Sequence, residues 1–160
     1  MGQQQALLEF RIGEERYGLP ADVVDRVVNM VSITPLPGAP DVVSGVIDVA
    51  GELVPAISMR KRLGRPEMAI SPDSYLCLAR TKQRPVALIV DAVSGVSGYR
   101  DEDLTPAGEI FPQLKHVRGI ARLGDGLVLV NDLDAFLSLE EQSQLDAAMK
   151  KPRGTKTGKC

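Results

Sequence analysis

Two stretches of this chain repeat each other at a fixed spacing, and this repeat limits the possible folds more than any other feature. Residues 43–63 and 117–137 align without a gap at an offset of 74. The matched pairs are Val43/Val117, Gly45/Gly119, Val46/Ile120, Val49/Leu123, Leu53/Leu127, Val54/Val128 and Leu63/Leu137. A weaker match at an offset of 69 pairs Leu19/Leu88, Asp22/Asp91, Val24/Val93 and Val27/Val96. Two interpretations stay open here: two hairpins that share a Val/Leu pattern by chance, or a duplicated small β unit with a common core.

Short strands between turns account for most of the remaining sequence. Strands are predicted over 7–12, 16–19, 75–79 and 86–90, and hairpins over 42–57 and 116–130, turning at Ala50-Gly51-Glu52 and Gly124-Asp125-Gly126. Prolines and glycines predict loops over residues 33–40 and 64–73. A short basic turn is predicted over 60–62, and an irregular segment over 101–111. Apolar residues at helical spacing after Pro20 predict a helix over 21–28, and 132–149 predicts one or two helical segments.

Length and charge describe one soluble domain. The 160 residues are 44% hydrophobic, enough for a core without a disulfide or metal. No apolar run approaches the roughly 18–20 residues that span a bilayer, and the N-terminus lacks a secretory pattern, so we expect a cytoplasmic protein. Residues 150–160 hold five of the 19 basic groups and no acid, which leaves −7 on residues 1–149. We therefore expect a folded unit over 1–149 and a flexible basic tail over 150–160.

Catalytic and metal-binding residue types are scarce. His116 is the only histidine, and the cysteines are Cys77, which is predicted to be buried in a strand, and Cys160. Three such residues, distant in sequence, do not form a usual zinc site. His116 precedes a strand and is expected at a surface or strand edge, while Asp101–Asp103 is typical of a solvated turn. No catalytic site, metal or cofactor is predicted, and a compact β protein of this kind suits a binding role.

Residues 42–64, Val-Val-Ser-Gly-Val-Ile-Asp-Val-Ala-Gly-Glu-Leu-Val-Pro-Ala-Ile-Ser-Met-Arg-Lys-Arg-Leu-Gly, closely resemble the signature of the CheW family of chemosensory adaptors. That pattern has Gly-Val-Ile, Asn-Leu-Arg-Gly, Ile-Val-Pro, Asp-Leu-Arg and a final Phe-Gly. The resemblance covers about residues 7–147, with further matches at Phe10 and 13–19, at Ile33 with Pro35, Pro37 and Pro40, at 87–93, and from Gly119 to Leu137.

The resemblance implies a mainly β fold: a duplicated, partly swapped pair of five-stranded SH3/OB-like β-barrels around a shared core, with short helices and a C-terminal helix. It also implies a non-catalytic adaptor. Such adaptors join the regulatory domain of a CheA-type histidine kinase to the cytoplasmic helical tip of methyl-accepting chemoreceptors, at the inner-membrane receptor array, without inserting into the membrane. A groove lined by Val and Ile can accept the apolar face of a helical hairpin.

Carried over residue by residue, the receptor and kinase interface falls on seven positions: Val24, Arg26, Val27, Gly45, Asp48, Ala50 and Gly51. Plain core packing is the alternative for Val24 and Val27, and a bulge or close-approach glycine is the alternative for Gly45. Four positions depart from the family pattern. Ala50 stands where the pattern has Arg, Asp48 where it has Asn, Ser58 where it has Asp, and Arg26 where a Glu is common. Because electrostatic complementarity governs partner choice, these departures predict a divergent receptor or kinase.

Two other functions remain as alternatives. A small β-barrel that binds nucleic acid needs a basic face and stacking aromatics, whereas this body is acidic. Its aromatic residues are Phe10, Tyr17, Tyr75, Tyr99, Phe111 and Phe136. An enzyme would need a site that the motifs do not reveal.

Overall fold

The computed structural model describes residues 4–66, 71–106, 116–124 and 126–150. Its strands are β1 Gln4–Ile12, β2 Glu15–Pro20, β3 Val24–Asn29, β4 Val43–Val49, β5 Glu52–Ser58, β6 Tyr75–Arg80, β7 Pro85–Val90, β8 Ala92–Arg100, β9 Leu104–Pro106, β10 Val117–Leu123 and β11 Gly126–Asn131. The helices are α1 Met59–Arg62 and α2 Leu139–Lys150, with 3₁₀ turns at Ala21–Val23, Asp101–Asp103 and Leu133–Ala135.

The strands form two sheets, and each sheet takes strands from both halves of the chain. Sheet A has the order β8-β1-β2-β11-β10-β9, and sheet B has the order β3-β6-β7-β5-β4. The first five strands of sheet A correspond, in position and direction, to the five of sheet B. In both sheets a hairpin joins its neighbour through one parallel pairing, β11 to β2 and β5 to β7. This equivalence supports duplication with exchanged strands over a chance resemblance of two hairpins.

Three apolar clusters show where the sheets pack. Leu7, Tyr99, Ala121, Val128 and Val130 all belong to sheet A, and they pack together on one of its faces. Ile47, Val54, Ala56, Leu76, Leu78 and Ala87 do the same within sheet B. Side chains from separate strands of one sheet can pack together in a single cluster only if the sheet curls around them. Each sheet is therefore barrel-like. The largest cluster joins the two sheets to Phe136 and to Leu145 of α2. The predicted pair of barrels with a shared core is confirmed.

The predicted helix over 21–28 is wrong beyond its first turn. Only Ala21–Val23 is helical, and Val24–Asn29 is strand β3, paired antiparallel with β6. A β-bulge between Val24 and Arg26 explains the misleading spacing. The extra residue places Val24 and Val27 on one face although they are three positions apart, which is the spacing of a helix.

Several other predictions are corrected or extended. Strand β8 has no counterpart in the predicted elements, and 104–106, within a segment predicted irregular, form strand β9 beside β10. The basic stretch at residues 60–62 belongs to helix α1. The remaining predicted strands, hairpins and C-terminal helical segments are confirmed. Four predicted segments lie wholly or partly outside the described residues: the turn at Asp125, 107–111 of the segment predicted to be irregular, part of the 64–73 loop, and the tail from 151 onward.

Candidate protein-docking surface

The seven predicted interface residues lie on β3 and on the β4–β5 hairpin of sheet B, which together we call the docking face. In strand order β3 and β4 are the two opposite edges of this sheet. Asp25 of β3 nevertheless lines the same small pocket as Val49 and Glu52 of the hairpin. The curl of the sheet therefore brings part of β3 and the hairpin turn together at one end of the barrel.

On β3, the two valines and the arginine have different environments. Val24 and Val27 are half-buried and pack against the cluster between the barrels. Their partners Ala79 and Cys77 on β6 are part of that cluster. Arg26 is exposed. The valines thus contribute to the core and expose only part of their surface, whereas Arg26 is exposed to solvent.

Gly45 is buried where two backbones nearly touch. Thr34 forms an isolated bridge with Val46, donating to its carbonyl at 2.9 Å and accepting from its N–H at 2.8 Å. A Cβ built on Gly45 would lie 2.2 Å from the carbonyl oxygen of Thr34. No side chain fits at that distance, so the structure gives Gly45 the close-approach role that the sequence left open.

The β4–β5 turn is a two-residue loop, Ala50-Gly51, closed by the pair Val49 and Glu52. Both loop residues have positive φ, 53° at Ala50 and 90° at Gly51, as a type I′ turn requires. Asp48 Oδ1 accepts a hydrogen bond from the Gly51 N–H at 2.8 Å. Asp48, Ala50 and Gly51 are all exposed. Asp48 therefore fixes the turn that presents Ala50 to solvent in a backbone conformation unusual for alanine.

Helix α1 supplies contacts that the sequence analysis missed. Arg60 pairs with Asp91, which also accepts a hydrogen bond from the Gly13 N–H at 2.7 Å. Arg62 binds Glu141 at 2.8 Å and the carbonyl of Phe136. These ion pairs tie α1 to the other half of the chain and are structural. The basic run signalled charge, but only the fold reveals its partners.

His116 and Cys77 lie in environments that disfavour chemistry. His116 is half-buried rather than at an open edge, packing edge-to-face on Phe136 with ring centroids 6.1 Å apart. Burial, with a smaller contribution from the charge of Arg62, lowers the pKa of His116. Burial raises the pKa of the Cys77 thiol to about 12, so the unreactive thiol form prevails at neutral pH.

Within the described ranges, no three His, Cys, Asp or Glu side chains cluster so as to hold a metal ion. In the same part of the chain, none of the helices is both long enough and apolar enough to span a membrane. The exposed turn, the exposed Arg26 and the adjoining pocket are surface features suited to contact with another macromolecule.

The sequence and fold match known proteins along most of their length. The profile of the CheW-like domain matches residues 6–141. The chemotaxis protein CheW of Klebsiella aerogenes is 28% identical over 148 residues, which cover 91% of this chain and 89% of that protein. Its counterpart in Thermotoga maritima is 30% identical over 137 residues, with coverages of 82% and 86%. The crystal structure of the scaffolding protein TtCheW from Thermoanaerobacter tengcongensis has a TM-score of 0.80 at 28% identity, covering 87% of this chain and 96% of that one.

The fold defines a class: modules built from two duplicated β-barrels with a shared core. The chain belongs to the CheW-like domain family, and it is a scaffold of chemosensory signalling. A scaffold role is consistent with a protein that is not an enzyme.

Proposed function

We propose that this scaffold joins the regulatory domain of a CheA-type histidine kinase to the cytoplasmic tip of chemoreceptors, and that the docking face is its receptor surface. The observation that carries the proposal is the β4–β5 turn. It is held by Asp48, exposes Ala50 and lies at the same end of the barrel as part of β3. A preformed turn loses little conformational entropy when a partner binds.

The duplication supports the bivalent part of this proposal. An adaptor needs two separate surfaces, and two equivalent barrels supply two sets of edges and turns on one rigid core. The Arg60–Asp91 and Arg62–Glu141 pairs add rigidity between the halves. With its location at the cytoplasmic side of the receptor array, the protein would need no cofactor and no membrane insertion of its own.

Nucleic-acid binding is the weaker alternative because the docking face is not basic. Asp25, Asp48 and Glu52 are exposed there, against Arg26, and Arg80 of the adjoining strand β6 is the next exposed cation. A phosphate backbone would be repelled by the carboxylates and would gain too few cations.

Titration calorimetry tests the proposal with two probes encoded in the same genome, a soluble chemoreceptor hairpin fragment and the kinase regulatory domain. We expect the wild-type chain to bind each probe, and to bind the second when the first is already bound. Ala50→Arg should weaken only the hairpin complex. An adaptor role would be contradicted if the chain failed to bind one or both probes, or if the two probes competed for binding to it.

A further inference from the structure

A small pocket opens beside the docking face, with apolar walls and charged groups at its rim. Its volume is about 60 Å³. Val49, Val54 and Leu78, which pack together in the cluster of sheet B, are its apolar residues, and Asp25, Glu52 and Arg80 contribute charge. Sites for small molecules usually measure about 300–1,000 Å³. The pocket is therefore the size for one inserted side chain rather than for a metabolite.

The charges around the pocket are not balanced. Asp25 is paired with Arg80 only loosely, with 3.7 Å between Oδ2 and Nε, and their side chains are 51% and 61% exposed. Glu52 is exposed, and no partner for its carboxylate occurs among residues 4–66, 71–106, 116–124 and 126–150. Two carboxylates against one guanidinium leave a formal charge of −1. A cation entering the pocket would find an acceptor ready in Glu52.

We propose that this pocket receives a lysine or arginine side chain from the chemoreceptor hairpin; this proposal rests on the function proposed above. The methylene stem would lie against Val49, Val54 and Leu78, and the charged head would pair with Glu52. Long basic side chains combine an apolar stem and a charged tip in this way. A purely aliphatic guest would instead cover Glu52 without offering a hydrogen bond, which is unfavourable.

The assignment to the receptor follows from continuity of the surface. Asp25 belongs to β3, and Val49 and Glu52 flank the exposed Ala50-Gly51 turn. A helix lying across the docking face would thus project a side chain into the pocket. The backbone of Glu52 is in an ordinary strand conformation, because it forms a regular antiparallel pair with Val49. Its substitution should leave the fold intact.

Calorimetry with the hairpin fragment and the kinase domain tests the pocket. Glu52→Gln should weaken hairpin binding three- to tenfold and leave kinase-domain binding within twofold, a range that fits an exposed ion pair with partial desolvation. Raising the salt concentration should reduce the difference in hairpin affinity between the wild type and Glu52→Gln. Glu14→Gln is the matched control: it removes the same charge from an exposed turn of sheet A and should change neither affinity.

The outcomes separate this proposal from the function. If the wild type binds the hairpin and Glu52→Gln binds it equally well, the pocket proposal fails while the adaptor function stands. If the wild type does not bind the hairpin, the function itself fails. A loss confined to the kinase domain overturns the assignment to the receptor. Finally, one lysine or arginine of the hairpin should be the side chain that enters the pocket, and changing it to Met should be non-additive with Glu52→Gln in its effect on affinity. If every Lys→Met and Arg→Met change in the hairpin is fully additive with Glu52→Gln, the proposal is overturned.

Discussion

The β4–β5 hairpin and the β10–β11 hairpin have the same frame but different exposed ends. In each, a buried glycine faces a threonine carbonyl: a Cβ added to Gly45 would lie 2.2 Å from Thr34 O, and one added to Gly119 would lie 2.6 Å from Thr105 O. In each, the strand after the turn ends with the same backbone bond, Ser58 N–H to Val42 O at 2.8 Å and Asp132 N–H to His116 O at 2.9 Å.

The differences lie outside that frame. Position 50 is alanine and its counterpart is Gly124, and both have positive φ, of 53° and 48°. Asp48, which fixes the first turn, corresponds to Arg122. Arg62 corresponds to Phe136, whose carbonyl accepts a hydrogen bond from that same arginine. Shared constraints thus maintain the two barrels, whereas the turn residues and their contacts differ between the hairpins.

The largest expected effect comes from breaking the shared frame. Gly45→Ala should destabilise the protein by about 3 kcal/mol, because the new Cβ would displace Thr34 and break its bridge to Val46. Gly119→Ala should cost nearly as much, since its clash is slightly milder. Urea unfolding measures both. A loss below about 0.5 kcal/mol at either site would show that the two hairpins do not share this constraint.

A second change removes a contact that links the two halves of the chain. Arg62→Met removes the guanidinium from Glu141, which keeps only its hydrogen bond from the Ser138 N–H, and leaves the Phe136 carbonyl without the arginine donor; it should cost about 2 kcal/mol. This is less than the about 3–5 kcal/mol of a fully buried pair, because the two side chains remain 21% and 23% exposed. Lys61→Met is the control on the same helix. Its ion pair with Asp41 should contribute little, because the Asp41 side chain is 90% exposed, so this variant should lose less stability than Arg62→Met. Equal losses for both variants would exclude a special role for Arg62.

At the divergent turn, Ala50→Arg should reduce affinity for the cognate receptor hairpin by about 1 kcal/mol or more while stability changes by less than about 0.5 kcal/mol. Alanine and arginine meet the same backbone restriction at φ 53°, so the fold should not distinguish them. Calorimetry and thermal melting measure the two quantities. Tighter binding of the arginine variant would mean that Ala50 is a lost contact rather than an adaptation to another partner.

The same turn should also respond to backbone preference alone. Ala50→Asn should stabilise the protein by about 0.5–1 kcal/mol, since Asn-Gly is the preferred pair for a type I′ turn. Gly124→Ala, the reciprocal change in the other hairpin, should destabilise it by a similar amount. Denaturant midpoints of the two variants should therefore shift in opposite directions. Shifts in the same direction would refute this account of the turn.

The smallest effect is confined to a pH window. Because burial lowers the pKa of His116, the folded state disfavours its protonated form. Stability should be undiminished above the ordinary histidine pKa of about 6.5 and should fall as pH decreases through the lowered value. His116→Val, which copies the counterpart Val42, should flatten the stability curve between pH 7 and 5. An unchanged slope would indicate that His116 is equally protonated in both states.

Local pattern predicted the hairpins well because each has alternating residues and a turn signal within about 15 residues. The same approach failed where the register changes. At β3 the bulge mimics helical spacing. At β8, Ser94, Gly95, Ser97 and Gly98 give a weak strand pattern, and pairing with β1 makes the strand.

The sequence could predict the β4–β5 turn of the candidate site but not the pocket beside it. Asp48, Ala50 and Gly51 lie within four consecutive positions, so a resemblance along the sequence could point to them. Asp25, Glu52 and Arg80 come from three separate strands, and only the curl of sheet B brings them together. Sequence spacing contains no signal for that proximity.

The central claim, that this chain couples a kinase to receptors, is tested most directly by reconstitution. Receptor-containing membranes and the cognate kinase are mixed with the wild-type chain, with Ala50→Arg, or with no added protein, and kinase autophosphorylation is followed while receptor ligand is titrated. We predict ligand-dependent control of the kinase only when the wild-type chain is present, with a weaker response for Ala50→Arg. Ligand control that is equally strong without the chain, or absent at every concentration of it, would contradict the coupling role.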